Sequence, residues 1–146
     1  MSIQRLAPAK VSPEIYKAIR QVDVLIHASN LDPRLMELVK IRASQINGCG
    51  FCLDMHIQAA RKAGETQRRL DILAGWREVG LFTRAERAAL AWTESLTNIR
   101  ETGAEDEVYE ELTQHFGEKD IVDLTILVGL INLFNRLAIS MRYSVN

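Results

Sequence analysis

The sequence predicts an all-α fold, a compact single-domain bundle of six or seven helices spanning residues 1–146. Three observations lead there. Apolar residues recur at helical spacing through most of the chain. Helix-start signals recur as well. Ser12-Pro13 and Asp32-Pro33 each join a capping side chain to a proline, and Thr83-Arg84-Ala85-Glu86 reads as a capping box. No stretch alternates apolar and polar residues as a half-buried strand would.

The elements follow in order. Residues 1–11 carry one proline and little periodicity, and read as an extended arm. Ser12 caps a first helix that runs to about Ser29, with Ile15, Ala18, Ile19, Val22, Leu25 and Ile26 at helical spacing. Asn30-Leu31 connects it to a second helix, from Pro33 to about Ile46. Leu35, Leu38, Val39 and Ile46 mark its buried side; Glu37, Lys40, Arg42, Ser44 and Gln45 are its polar members. Asn47-Gly48 supplies a turn, and a third helix starts at Cys49 and stops at Gly64. Thr66 caps a short fourth helix through Leu73, and Ala74 to Gly80 is a loop or broken helix. The Thr83 box opens a helix with Ala85, Ala88, Ala89, Trp92, Leu96 and Ile99 on one stripe. Glu101 to Ala104 is a turn, followed by a polar helix from about Glu105 to His115 that Gly117 closes. The last helix runs from near Lys119 to about Met141. It is apolar on nearly all sides from Ile126 to Phe134, which predicts deep burial or a subunit interface. No internal repeat or linker divides the chain.

Bulk composition removes several function classes. Apolar residues are 47% and charged residues 25%, ordinary values for a globular domain. The net charge is −1 and no polybasic run exists, so neither a nucleic acid nor an anionic membrane is an expected partner. The N-terminal stretch has no apolar core of a secretory signal, and the longest uncharged run, Leu124 to Asn135, is too short to span a bilayer. The expected location is the cytoplasm. Two cysteines are too few for a disulfide framework, and in a reducing compartment a C-x-x-C pair points to redox or metal chemistry.

The chemistry-bearing stretch is residues 37–64. Cys49 and Cys52 form the C-x-x-C pair, His56 follows Cys52 by four residues, and Glu37 precedes Cys49 by twelve. On a helix opened by Cys49, positions 49, 52 and 56 share a face. A helix N-terminus stabilises a thiolate through unpaired N–H groups and the macrodipole, and a nearby base removes the proton. His56 is that base, with Glu37 orienting it or passing a proton. Two thiols three apart suit two-electron redox: one attacks a peroxide, and the other condenses with the sulfenic acid to give a disulfide. Three plainer readings stand beside this one. The cysteines are small buried residues at a helix start. Glu37 is a surface carboxylate paired with Lys40. Glu37, Cys49, Cys52 and His56 surround a zinc ion, although no second ligand pair accompanies them and His27 and His115 sit in no ligand spacing. The thiol reading is preferred, with no metal and no cofactor. Ser44 and Asn47 order the turn; Trp76 and Trp92 are core or interface anchors; Met36, Met55 and Met141 are filler; Asn132, Asn135 and Arg136 are structural, Arg136 as a partner for a carboxylate across a subunit boundary.

At these residues the chain resembles the alkylhydroperoxidase D (AhpD)-like branch of the carboxymuconolactone decarboxylase superfamily. The carrying pattern is Glu37, Lys40-Ile-Arg-Ala-Ser44, Asn47-Gly-Cys49-Gly-Phe-Cys52, His56 and Gly64. Weaker similarity continues through Gly75-Trp76-Arg77, Phe82, Glu86 to Leu90 and Asn132 to Arg136, covering roughly residues 12–143. The resemblance implies an all-helical homo-oligomer, commonly a trimer or hexamer. It implies a thiol-dependent hydroperoxide reductase in which Cys52 attacks, Cys49 closes the disulfide, and Glu37 and His56 relay protons. The reductant is a lipoyl or thioredoxin-like protein or a small thiol. An alternative is a redox adaptor or sensor that relays electrons between protein partners. Decarboxylases of the superfamily generally lack the cysteine pair. AhpD proteins often carry Ser-His between the cysteines where this chain has Gly50-Phe51.

Overall fold

The structure, a computed structural model, describes residues 3–145, and every one of its regular elements is helical. The described residues form nine α-helices: α1 (Pro8–Val11), α2 (Pro13–His27), α3 (Pro33–Asn47), α4 (Gly50–Lys62), α5 (Gln67–Asp71), α6 (Arg84–Thr97), α7 (Ile99–Thr102), α8 (Asp106–Thr113) and α9 (Glu118–Met141). A 3-10 segment, Leu73–Glu78, lies between α5 and α6. Six of these helices have eight residues or more, as the periodicity predicts; the others are single turns too short to show a period. All three prolines open helices, at Pro8, Pro13 and Pro33, where the missing N–H is not needed.

The sequence-based boundaries hold within a few residues, with four corrections. The arm expected over residues 1–11 is extended only through Ala7, since Pro8 starts the turn α1; Met1 and Ser2 lie outside the described residues. Ser12 occupies the cap of α2, but its side chain makes no capping bond. Ile99 does not continue the α6 stripe. The helix ends at Thr97, and Ile99 is 54% exposed on α7. Ile46 is only half-buried. The other caps form as predicted: Asp32 accepts from the N–H groups of Arg34 and Leu35, Thr66 from Arg69, and Thr83 and Glu86 complete a capping box.

Helix α3 is the centre of the molecule, packed by α4, α6 and α9. It is therefore buried almost all round. Leu35, Met36 and Val39 face one core with Trp92, Leu124 and Leu127; Leu38 and Ile41 face a second with Leu73, Trp76, Phe82 and Leu90. Enclosure also buries the polar members Glu37, Lys40 and Ser44. Helix α9 is long and apolar enough to cross a bilayer by length and composition, yet Leu124, Leu127, Val128 and Ile131 are buried in the first core. Its opposite side leaves Val122, Ile126 and Leu133 open to solvent. Helix α2 behaves alike. It buries Ile26 and half-buries Ile19, but the adjacent stripe Ile15, Ala18, Val22 and Leu25 is exposed.

Candidate active site

The site grows from the turn between α3 and α4. Gly48 closes α3 at φ +70°, a left-handed conformation that costs a residue with a Cβ more than it costs glycine. The Cys49 N–H then donates back to the Ser44 carbonyl at 3.0 Å. The chain enters α4 with Cys49 at the N-cap and Cys52 in the first turn, where the Cys52 N–H donates to the Cys49 sulfur at 3.4 Å. The two sulfurs are bonded to each other, with Cα atoms 5.3 Å apart, an ordinary span for a disulfide. Each cysteine is 1% exposed.

A second anchor fixes this turn to α9. Asn47 Nδ2 donates to the side-chain oxygens of Asn132 and Asn135, each at 2.9 Å, and Asn135 Nδ2 donates to Ser44 Oγ at 3.0 Å. Asn135 is fully buried. Arg136 donates to the Asn132 carbonyl and side-chain oxygen on its own helix. Replacing Asn135 by alanine leaves the Ser44–Asn47 end of the ladder short of partners. The expected loss is about 2–3 kcal/mol of unfolding free energy, read as a lower urea midpoint with unchanged slope. An unaltered midpoint would mean that the ladder does not anchor the turn.

Glu37 joins α3 to α4. Its Oε2 accepts from His56 Nδ1 at 2.9 Å and its Oε1 from Lys40 Nζ at 2.8 Å. Burial alone would push the Glu37 carboxyl up. The hydrogen bonds and charges of His56 and Lys40 outweigh it and hold the group below the usual carboxylate range. Glu37 is thus an anion in a nearly dry position. A carboxylate only accepts, so His56 Nδ1 carries the hydrogen and, in the neutral ring, Nε2 is left as the basic nitrogen. Lys40 Nζ also donates to His27 Nε2 at 3.0 Å, and His27 Nδ1 donates to the Asp23 carbonyl at 2.8 Å.

Between α2, α4 and α9 lies a cavity of about 150 Å³. Cys52, Met55 and His56 line it from α4, Tyr16, Arg20 and Asp23 from α2, and Leu127, Leu130, Ile131 and Phe134 from α9, whereas Cys49 does not reach it. Phe51 packs edge-on against Tyr143 at 5.0 Å and helps close one side. Met55 is 43% exposed at this cavity rather than core filler.

The structure therefore brings the predicted Glu37, Cys49, Cys52 and His56 together at the α3–α4 junction. Glu37 is not a surface carboxylate; it pairs with Lys40 and His56 at once. Among the described residues, no three histidine, cysteine or acidic side chains are grouped to hold a metal ion. Sequence reasoning missed His27 and placed Lys40 only as the partner of Glu37 in a surface pair, one turn beyond it on the same face. His27 reaches Lys40 only through the packing of α2.

Comparison with known proteins finds relatives by profile, by sequence and by structure. The profile of the Carboxymuconolactone decarboxylase family matches residues 13–95. The uncharacterised protein YdfG of Bacillus subtilis (strain 168) is 38% identical over 138 residues, 94% of each chain. A solved protein of unknown function from Agrobacterium tumefaciens, named for the antioxidant defence protein AhpD, is 40% identical, with a TM-score of 0.95 and 99% of each chain covered. An uncharacterised peroxidase-related protein from Silicibacter sp. TM1040 is 25% identical, with a TM-score of 0.81 over 92% of this chain and 72% of that one.

Proposed function

The chain belongs to the carboxymuconolactone decarboxylase family, in its AhpD-like branch, and from that premise we propose that it is a thiol-dependent hydroperoxide reductase. One observation carries the reading: Glu37 holds His56 by Nδ1 while His56 and Cys52 line one cavity.

In the reduced protein His56 Nε2 takes the Cys52 proton, and the Glu37 anion stabilises the imidazolium. The thiolate attacks the terminal oxygen of the hydroperoxide, an S–O bond forms and the O–O bond breaks. The departing alkoxide takes the proton from His56 and leaves as an alcohol. Cys52 is then a sulfenic acid. The Cys49 thiol attacks its sulfur, the hydroxyl leaves as water with the Cys49 proton, and the disulfide forms. A dithiol reductant restores both thiols by exchange. Cys52 is the attacking group because it faces the cavity and Cys49 does not.

The recess of the sulfurs bears on the reductant. With each cysteine 1% exposed, a slender dithiol such as a lipoyl arm or a small thiol fits better than the rigid face of a thioredoxin-like protein. Location in the reducing cytoplasm suits the cycle. The bare stripes of α2 and α9 are of the kind that a homo-oligomer, a trimer or hexamer, would cover. The redox-adaptor alternative requires protein partners to reach the same recessed pair.

The apolar lining favours organic hydroperoxides over hydrogen peroxide. Burying two methylene groups contributes about 1.6 kcal/mol, so kcat/KM for cumene hydroperoxide should exceed that for hydrogen peroxide on the order of tenfold or more, with dihydrolipoamide as reductant. Equal values would mean that the substrate does not bind in this cavity. The direct test is single turnover by the reduced protein. Loss of both thiols with about one peroxide consumed per chain supports the proposal; thiols that survive ordinary peroxide concentrations overturn it.

A further inference from the structure

We propose that Lys40 and His27 are positioning residues that set the acidity of the Cys52 thiol through Glu37 and His56. The inference deepens the thiol-chemistry reading above and rests on it for its biological use, although the acidity can be measured without any peroxide.

Lys40 and Glu37 form a buried ion pair in an unusual setting. Lys40 is 4% exposed, and an ammonium in that position is stable only if its donors are occupied. Two are, by Glu37 Oε1 at 2.8 Å and by His27 Nε2 at 3.0 Å. An ammonium has no acceptor, so His27 Nε2 accepts, and its Nδ1–H goes to the Asp23 carbonyl at 2.8 Å. The backbone of α2 thus orients His27, His27 aims Lys40, and Lys40 keeps Glu37 ionised and turned so that its other oxygen takes the His56 Nδ1–H at 2.9 Å. The order matters because burial opposes the Glu37 anion. With Lys40 displaced, the carboxyl is more readily protonated, His56 loses the acceptor that fixes its tautomer, and the imidazolium formed when Cys52 ionises loses its counter-charge.

A merely structural α2–α3 contact would not need this directionality. The other titratable side chains facing the cavity are Tyr16, Arg20 and Asp23 on α2 and Tyr143 beyond α9; none of them hydrogen-bonds to Glu37 or His56, and the Asp23 carboxylate faces His27, 3.4 Å from its Nδ1.

The test uses the full chain reduced in a Cys49→Ser background, leaving Cys52 as its one thiol. The rate of alkylation by iodoacetamide against pH reports the thiolate directly. His27→Leu and Lys40→Met are expected to move the midpoint up by about one pH unit, about tenfold slower alkylation on the acid limb. His27→Gln, which keeps an acceptor near the position of Nε2, should recover most of the rate. A His27→Leu protein that titrates with the parent overturns the proposal, and so does a His27→Gln protein that falls as far as His27→Leu. If Lys40→Met fails to fold, the His27 pair still decides, since that side chain is 40% exposed. Hydroperoxide turnover is measured separately on the unsubstituted chain. Its absence removes the peroxidase reading, while the shifted thiol titration would stand.

Discussion

Cys52→Ser protein is expected to consume no hydroperoxide above the uncatalysed rate, a loss of at least about a thousandfold. A serine hydroxyl is nearly isosteric but remains protonated where a thiol ionises, and an alcohol cannot complete the S–O chemistry. The fold should be little changed, because the substitution is nearly isosteric and the replaced atom borders a cavity. Cys49→Ser behaves differently. It should consume about one peroxide per chain and stop at the sulfenic acid, which dimedone traps as a mass adduct on Cys52. Full peroxide consumption by the Cys52→Ser protein would remove the thiol mechanism altogether. Adduct on position 49 in the opposite variant would reverse the assignment of roles.

Glu37→Gln carries the second largest effect, on activity and stability together. The amide keeps the shape but not the charge, so the His56 imidazolium loses its stabiliser and turnover should fall on the order of a hundredfold. The buried Lys40 ammonium also loses its counter-ion, which should cost about 3–5 kcal/mol of stability. The pH dependence separates this from a generic packing defect. The Glu37 carboxyl sits below its ordinary value in the folded protein, so its stabilisation is fully present above the unfolded value of about 4.3. That contribution disappears as pH falls through the folded value. The gap in urea midpoint between wild type and Glu37→Gln should therefore hold from about pH 8 to 5 and narrow in stronger acid. A gap that is constant into acid would show that the carboxylate charge is not what stabilises the site.

What the sequence made legible follows from the range of each interaction. Caps and prolines act within one turn, and Asp32, Thr66 and Thr83 bond as their neighbours predict. Cys52 and His56 lie one turn apart on α4 with Cys49 at its N-cap, so the nearness of the three follows from helical geometry. Glu37 was reachable by pattern, but its burial was not. Helix α3 carries charged and polar side chains through its length, and only the packing of three helices around it encloses Glu37, Lys40 and Ser44. His27 belongs to a different helix and meets Lys40 across the α2–α3 turn, a contact that no local spacing encodes. Periodicity misleads in the opposite direction on α2. The stripe from Ile15 to Leu25 has the spacing of a buried face, yet in the single chain it faces water. Ile99 keeps the period of α6 after the helix itself has ended at Thr97.

The amide ladder at the foot of the site has a consequence for how this chain can drift. Ser44, Asn47 and Asn135 use one another's donors and acceptors, and Asn135 has no water to fall back on. A single step to an apolar residue at any of them strands a buried group, whereas replacing all three by well-packed aliphatics removes the polar groups together. The two stable solutions are separated by weaker proteins. Related chains are thus expected to keep the three polar residues as a set or to have exchanged them as a set, with mixed combinations rare.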